Sequence, residues 1–152
     1  MIPTTTRVEQ HTDEVINDEI RRHTEQRIAS VGRQGESEIN RRLEELDQEW
    51  DMERTLEANA ATIALIGLGL GTLVNRRFFM LPAVVAGFLL QHAVQGWCPP
   101  VPVFRRLGIR TAREIDLERY GLKAIRGDFN DLTESQAVDE RKAKHVLAAM
   151  NR

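Results

Sequence analysis

The sequence predicts an all-α membrane protein: a two-helix transmembrane hairpin with a long N-terminal cytoplasmic helix and C-terminal amphipathic helices. Three observations carry this. Ala58–Val103 is apolar apart from a few uncharged polar side chains, and Asn75-Arg76-Arg77 is its one charged interruption. Each half of that block is about long enough to cross a hydrocarbon core of about 30 Å at about 1.5 Å rise per residue. The chain on both sides is highly charged and patterned as helix. Three segments follow: an acidic helical arm over 1–57, the hairpin over 58–103, and basic juxtamembrane and C-terminal helices over 104–152. A buried helical hairpin in a soluble bundle is the competing architecture, but helices of soluble cores normally keep one polar face.

The first stretch, Thr4 to Val31, is charged, with sparse apolar positions at Val8, Val15, Ile16, Ile20, Ile28 and Val31. So narrow a stripe suits packing on a partner helix or a solvated helix. Gly32 and Gly35 interrupt it, and Ser37 is placed to cap a new helix. Ile39, Leu43, Leu46 and Trp50 then recur on one face. With no Gly or Pro before Gly67, the pattern predicts one helix from Ser37 through Val74, its stripe covered by the C-terminal arm or by a second copy.

Within the first span Ala60, Ala64, Gly67 and Gly71 form a narrow face of small residues, and Gly67–Gly71 is a GxxxG. Lipid offers helices no hydrophobic reason to associate, so close backbone approach through small residues is the usual driver. The second span, Phe78 to Trp97, has Pro82 in its first turn, where a missing amide proton matters little. It carries Ala83, Gly87, Gln91 and Gln95 at strict fourth positions. A hairpin sets Asn59 and Thr62 at the depth of Gln95 and Gln91, so hydrogen bonds are expected among these four; His92 completes a polar membrane cluster. Trp97 marks the return to the interface.

Cys98-Pro99-Pro100-Val101-Pro102 predicts an extended, polyproline-like exit. Arg105, Arg106 and Arg110 follow, suited to anionic headgroups. Thr111-Ala112-Arg113-Glu114 is a capping box for a helix closed by Gly127, with Ile115, Leu122 and Ile125 on one side. This helix either lies on the membrane surface or packs on the acidic Ser37–Glu57 helix. A second box, Thr133-Glu134-Ser135-Gln136, opens a last helix to about Met150 with a weak stripe of Val138, Val146, Leu147 and Met150.

Charge is unevenly spread. Met1–Glu57 has 8 basic and 15 acidic residues, net −7; Phe104–Arg152 has 11 basic and 8 acidic, net +3; the Arg76-Arg77 turn adds +2. An acidic arm argues against nucleic acid, whose phosphates demand clustered Lys and Arg. The start lacks a basic region followed by an apolar run, so no secretory signal is read there. Seven Arg flank the termini side of the hairpin (Arg41, Arg42, Arg54, Arg105, Arg106, Arg110, Arg113) against two at the turn. The positive-inside rule then places both termini in the cytoplasm, for a bacterial inner membrane.

Candidate chemistry is sparse. A single cysteine, Cys98, excludes an intramolecular disulfide and any multi-thiolate metal site. Beside Arg105 and Arg106 it is a possible reactive thiol, because nearby cations favour a thiolate; the alternative is an inert small apolar residue. His92 is either a functional intramembrane group or a structural hydrogen-bonder. His11, His23 and His145 lack metal-ligand spacing. No phosphate loop, nucleophile elbow or carboxylate pair is present, so no catalytic residue, metal or cofactor is expected.

The run Gly96-Trp97-Cys98-Pro99-Pro100-Val101-Pro102-Val103-Phe104-Arg105-Arg106-Leu107-Gly108-Ile109-Arg110-Thr111 resembles the closing motif of the YgaP-like transmembrane domain family. The resemblance covers roughly Leu56 to Thr111. It implies a bacterial inner-membrane domain of unknown function with two spans, thought to dimerise and sometimes fused to a rhodanese domain. No rhodanese-like loop with a second Cys occurs here, so sulfurtransferase activity is not implied. The expected role is non-enzymatic: a self-associating membrane protein acting as scaffold or accessory subunit of a larger membrane assembly. Alternatives are a sulfur-related membrane factor using Cys98, or an oligomeric pore lined by Gln91, Gln95 and His92.

Overall fold

A computed structural model describes residues 6–130 and 140–150. The described residues are helical throughout, without a strand: α1 (Arg7–Gln10), α2 (Glu14–Gly32), α3 (Glu36–Gln48), α4 (Met52–Leu73), a 3-10 turn at Arg76–Phe79, α5 (Met80–Gln95), α6 (Val101–Arg106), α7 (Ala112–Arg126) and α8 (Glu140–Met150). The second capping box, Thr133–Gln136, and Val138 lie outside the described residues.

The chain folds into two compact units that do not follow the sequence segments ending at 57 and 103. The first combines the described residues up to Ile20 with Trp50–Arg113; the second combines Arg21–Glu49 with the chain from Glu114 onward. Residues distant in sequence thus share each core, which a segment-by-segment reading does not reveal.

The first unit contains the two apolar helices, α4 and α5. Two stretches, one ending at Leu73 and one over Arg76–Gln95, are long and apolar enough to cross a membrane. The continuous helix expected from Ser37 to Val74 is broken, because Glu49 adopts an extended conformation (φ −66°, ψ 131°) after α3 and Asp51 restarts the chain as α4. Asp51 Oδ1 accepts from the Arg54 amide at 2.8 Å, satisfying one of the amides a helix start leaves open. Trp50, in the break, leaves the stripe; it is exposed, with the Arg54 guanidinium 4.4 Å from its ring centre. At the far end Asn75 Oδ1 accepts from Arg77 N at 2.9 Å and turns the chain into α5.

α5 stops at Gly96, whose φ of +77° lets its amide reach back to the His92 carbonyl at 2.7 Å. The polyproline exit does not form. Pro100 instead precedes α6 with φ −75°, ψ −18°, and Pro102 sits in its first turn, where a helix needs no amide donor from it. Met52, Leu56, Cys98, Val101 and Val8 of α1 bury one another here, with Phe104 and Ile109 alongside.

The second unit is a small bundle. Ile39, Leu43 and Leu46 of α3 are buried with Val31 of α2 and with Ile115 and Leu122 of α7, Ile28 packing against them. α7 therefore lays its apolar face on α3 within this unit, the protein-packing alternative of the two read from the sequence. Gly35, with φ +99°, precedes α3 in the place read for Ser37. Glu118 is buried between Arg27 and Arg42, and Lys123 Nζ donates to the Met150 carbonyl at 2.6 Å.

Candidate functional site

The small residues of the two spans serve different purposes. A Cβ on Gly67 would stand 2.7 Å from Pro82 Cδ and 3.0 Å from Leu81 Cβ; one on Gly71 would stand 2.7 Å from the Phe79 ring. Both glycines are buried, as is Ala60, and Ala64 is half-buried. The α4 face is thus consumed inside the hairpin, closing it tightly near the turn. Ala83 and Gly87 are exposed, and nothing lies within 4 Å of a Cβ placed on Gly87.

Toward the other end the helices leave an apolar cavity of about 100 Å³, lined by Leu56, Ile63, Val85, Leu89 and Cys98 with Asn59 as its polar member. The expected hydrogen bonds among Asn59, Thr62, Gln91 and Gln95 do not occur among the described residues. Thr62 donates instead to the Ala58 carbonyl of its own helix at 2.7 Å, a bond that satisfies the hydroxyl without a partner helix. Gln91 is half-buried and Gln95 exposed.

His92 is the polar residue turned inward: it is 6% exposed, and neither ring nitrogen has a hydrogen-bond partner. Glu53 of α4 and Arg7 of α1 are the charges acting on it. Arg7 Nη1 donates to the Ala93 carbonyl at 3.0 Å, and its Nη2 lies 4.0 Å from Glu53 Oε1. Arg7 Nε and Glu53 Oε2 are also buried without a partner. This knot of Arg7, Glu53 and His92 at the hairpin base is absent from the sequence reading. Its signal was faint: a lone histidine near a span end, with its two charged neighbours about forty and about eighty-five positions away.

The basic cluster also needs correction. Arg105 is 1% exposed: its Nη2 donates to Asn17 Oδ1 at 2.8 Å and its Nη1 to the Ile109 carbonyl at 3.1 Å. Arg110 is likewise buried, and its carbonyl accepts from the Met52 amide at 2.8 Å. Both stitch the first unit together, and neither side chain faces outward to meet a headgroup; Arg106 alone of the three is exposed. Cys98 is 3% exposed and packed among Val8, Met52, Leu56 and Val101, a setting for an inert apolar thiol rather than an activated one. No cluster of His, Cys, Asp or Glu suited to a metal occurs among the described residues.

No family model, curated protein or solved structure matches the chain.

Proposed function

We propose that the chain is a small integral membrane protein, held in a bilayer by the α4–α5 hairpin, whose outer α5 face docks a second copy. In that form it serves as a scaffold or accessory subunit of a membrane assembly. The observation that carries this reading is the division of labour among the glycines. Gly67 and Gly71 are filled by Leu81, Pro82 and Phe79, whereas Gly87 and the neighbouring Ala83 present an open small-residue face. A helix with such a face can bring a second backbone close in lipid. The exposed apolar side chains around the hairpin, Leu65, Ile66, Leu73, Leu90 and Val94 among them, support a lipid or protein covering, since a patch this apolar is untenable in water. The resemblance of Leu56–Thr111, with its Gly96–Thr111 motif, to the YgaP-like family belongs to the same proposal, a bacterial inner-membrane setting included.

Neither alternative gains an observation. Cys98 is 3% exposed, and of the three polar residues His92 is buried, Gln91 half-buried and Gln95 exposed.

The test is Gly87→Ile in the full chain, followed by energy transfer between labelled copies in vesicles. Loss of transfer is expected. Transfer equal to wild type would sink the docking face while leaving membrane insertion to be judged separately.

A further inference from the structure

α1 is a single turn of four residues, far too short to hold together unaided, so its position is fixed by what it touches. Val8 packs among Met52, Leu56, Cys98 and Val101. Arg7 lies across the end of α5, donating to the Ala93 carbonyl, and it approaches Gly96 so closely that a Cβ there would stand 2.8 Å from the Arg7 carbonyl carbon. On its other flank Glu9 accepts from Arg113 Nη1 at 2.7 Å, and its carbonyl accepts from Asn17 Nδ2 at 2.9 Å. The segment thereby covers Cys98, which lines the apolar cavity between α4 and α5.

The same closure strands polar atoms. Both His92 nitrogens, Arg7 Nε and Glu53 Oε2 are buried without partners, and the Arg7–Glu53 pair is stretched to 4.0 Å. Buried donors and acceptors without partners oppose the state that buries them, and hydration on opening relieves it. Val8 and the flanking hydrogen bonds pull the segment down while three polar side chains push against it. His11-Thr12-Asp13 is the non-helical turn that joins α1 to α2.

We propose that α1 is a strap, latched by Arg7 onto the end of α5, whose opening exposes the Cys98 thiol. The strap is independent of any docking at Gly87.

Because Cys98 is the chain's sole cysteine, access to it reports the strap directly. The full chain in phosphatidylcholine vesicles is treated with N-ethylmaleimide, and modification is followed by mass spectrometry. Arg7→Gln, which removes the latch, is expected to speed modification about tenfold, as opening of a local unit would. Glu9→Gln, which weakens the opposite flank, should also speed it. His92→Phe removes both stranded nitrogens and should slow it. Circular dichroism checks that each variant keeps its helix. The strap is overturned if Arg7→Gln and Glu9→Gln both react at the wild-type rate, or if the folded wild type reacts as fast as chain unfolded in dodecyl sulfate.

Discussion

Glu118 has no exposed surface, and its carboxylate accepts from Arg42 Nε on Oε1 at 2.8 Å and from Arg27 Nε on Oε2 at 3.3 Å. Removing one member of a buried ion group strands the others, at about 3–5 kcal/mol; Arg27 keeps 39% exposure and can be rehydrated, which favours the lower end. Glu118→Ala should therefore lower stability by about 3 kcal/mol in denaturant titration. A loss under 1 kcal/mol would show that the carboxylate is not what holds the two arginines. Lys123 makes the complementary case. Burial, then the nearby Arg119 charge, pushes its ammonium below the usual 10.5. The unfolded chain then keeps this proton to higher pH than the folded one, so stability rises with pH between the lowered folded value and 10.5. Lys123→Met should remove that rise, measured as the difference in melting temperature between variant and wild type across the alkaline range; parallel curves would contradict it. None of this was legible in the sequence. Arg105 and Arg110 read as headgroup-binding and Glu118 and Lys123 as ordinary charges of an amphipathic helix, because only tertiary packing decides which charge goes inside.

At the scale of elements, patterning told more. The two apolar stretches, the turn between them, the Ile39/Leu43/Leu46 stripe and the stop at Gly127 were visible because periodicity and glycine placement are local properties. What failed were boundaries decided by small caps: Asp51 restarts a helix where no Gly or Pro announces a break, and Pro100 opens α6 where three prolines suggested an extended strut. The glycine face of α4 was legible, but not the helix it serves, because spacing names no partner. The structure assigns it to α5 of the same hairpin, which yields a prediction different from that for Gly87. Gly67→Ile must displace Pro82 and Leu81, an overpacking of about 1–3 kcal/mol. Spin labels at Leu65 and Val84, in a Cys98→Ser background, should report a longer and broader distance in this variant. An unchanged distance distribution would mean that the hairpin is not closed through Gly67.

Across the whole molecule, the two units present surfaces of different character. The second unit buries its apolar stripe together with Glu118 and Lys123, while α4 and α5 of the first unit show apolar side chains outward. The outward Leu65, Leu73, Leu90 and Val94 are stable only where lipid or another apolar surface replaces water. An alkaline carbonate wash of membranes strips proteins held by charge and leaves those held by spans, so the chain should stay in the pellet. Sequence charge yields an expected orientation, since the positive-inside bias counts Arg near the span ends whether or not the folded structure later buries them. Seven such residues flank the hairpin's open end and two lie at its turn. Neutralising the turn with Arg76→Gln and Arg77→Gln removes the opposing signal, so a cytoplasm-active reporter fused after Arg152 should keep full activity in that variant and in wild type. Recovery in the carbonate supernatant would instead require another copy or partner to cover the apolar surface. A reporter silent in both proteins would place the open end, with Arg7, Glu53 and the buried His92, on the opposite side of the membrane.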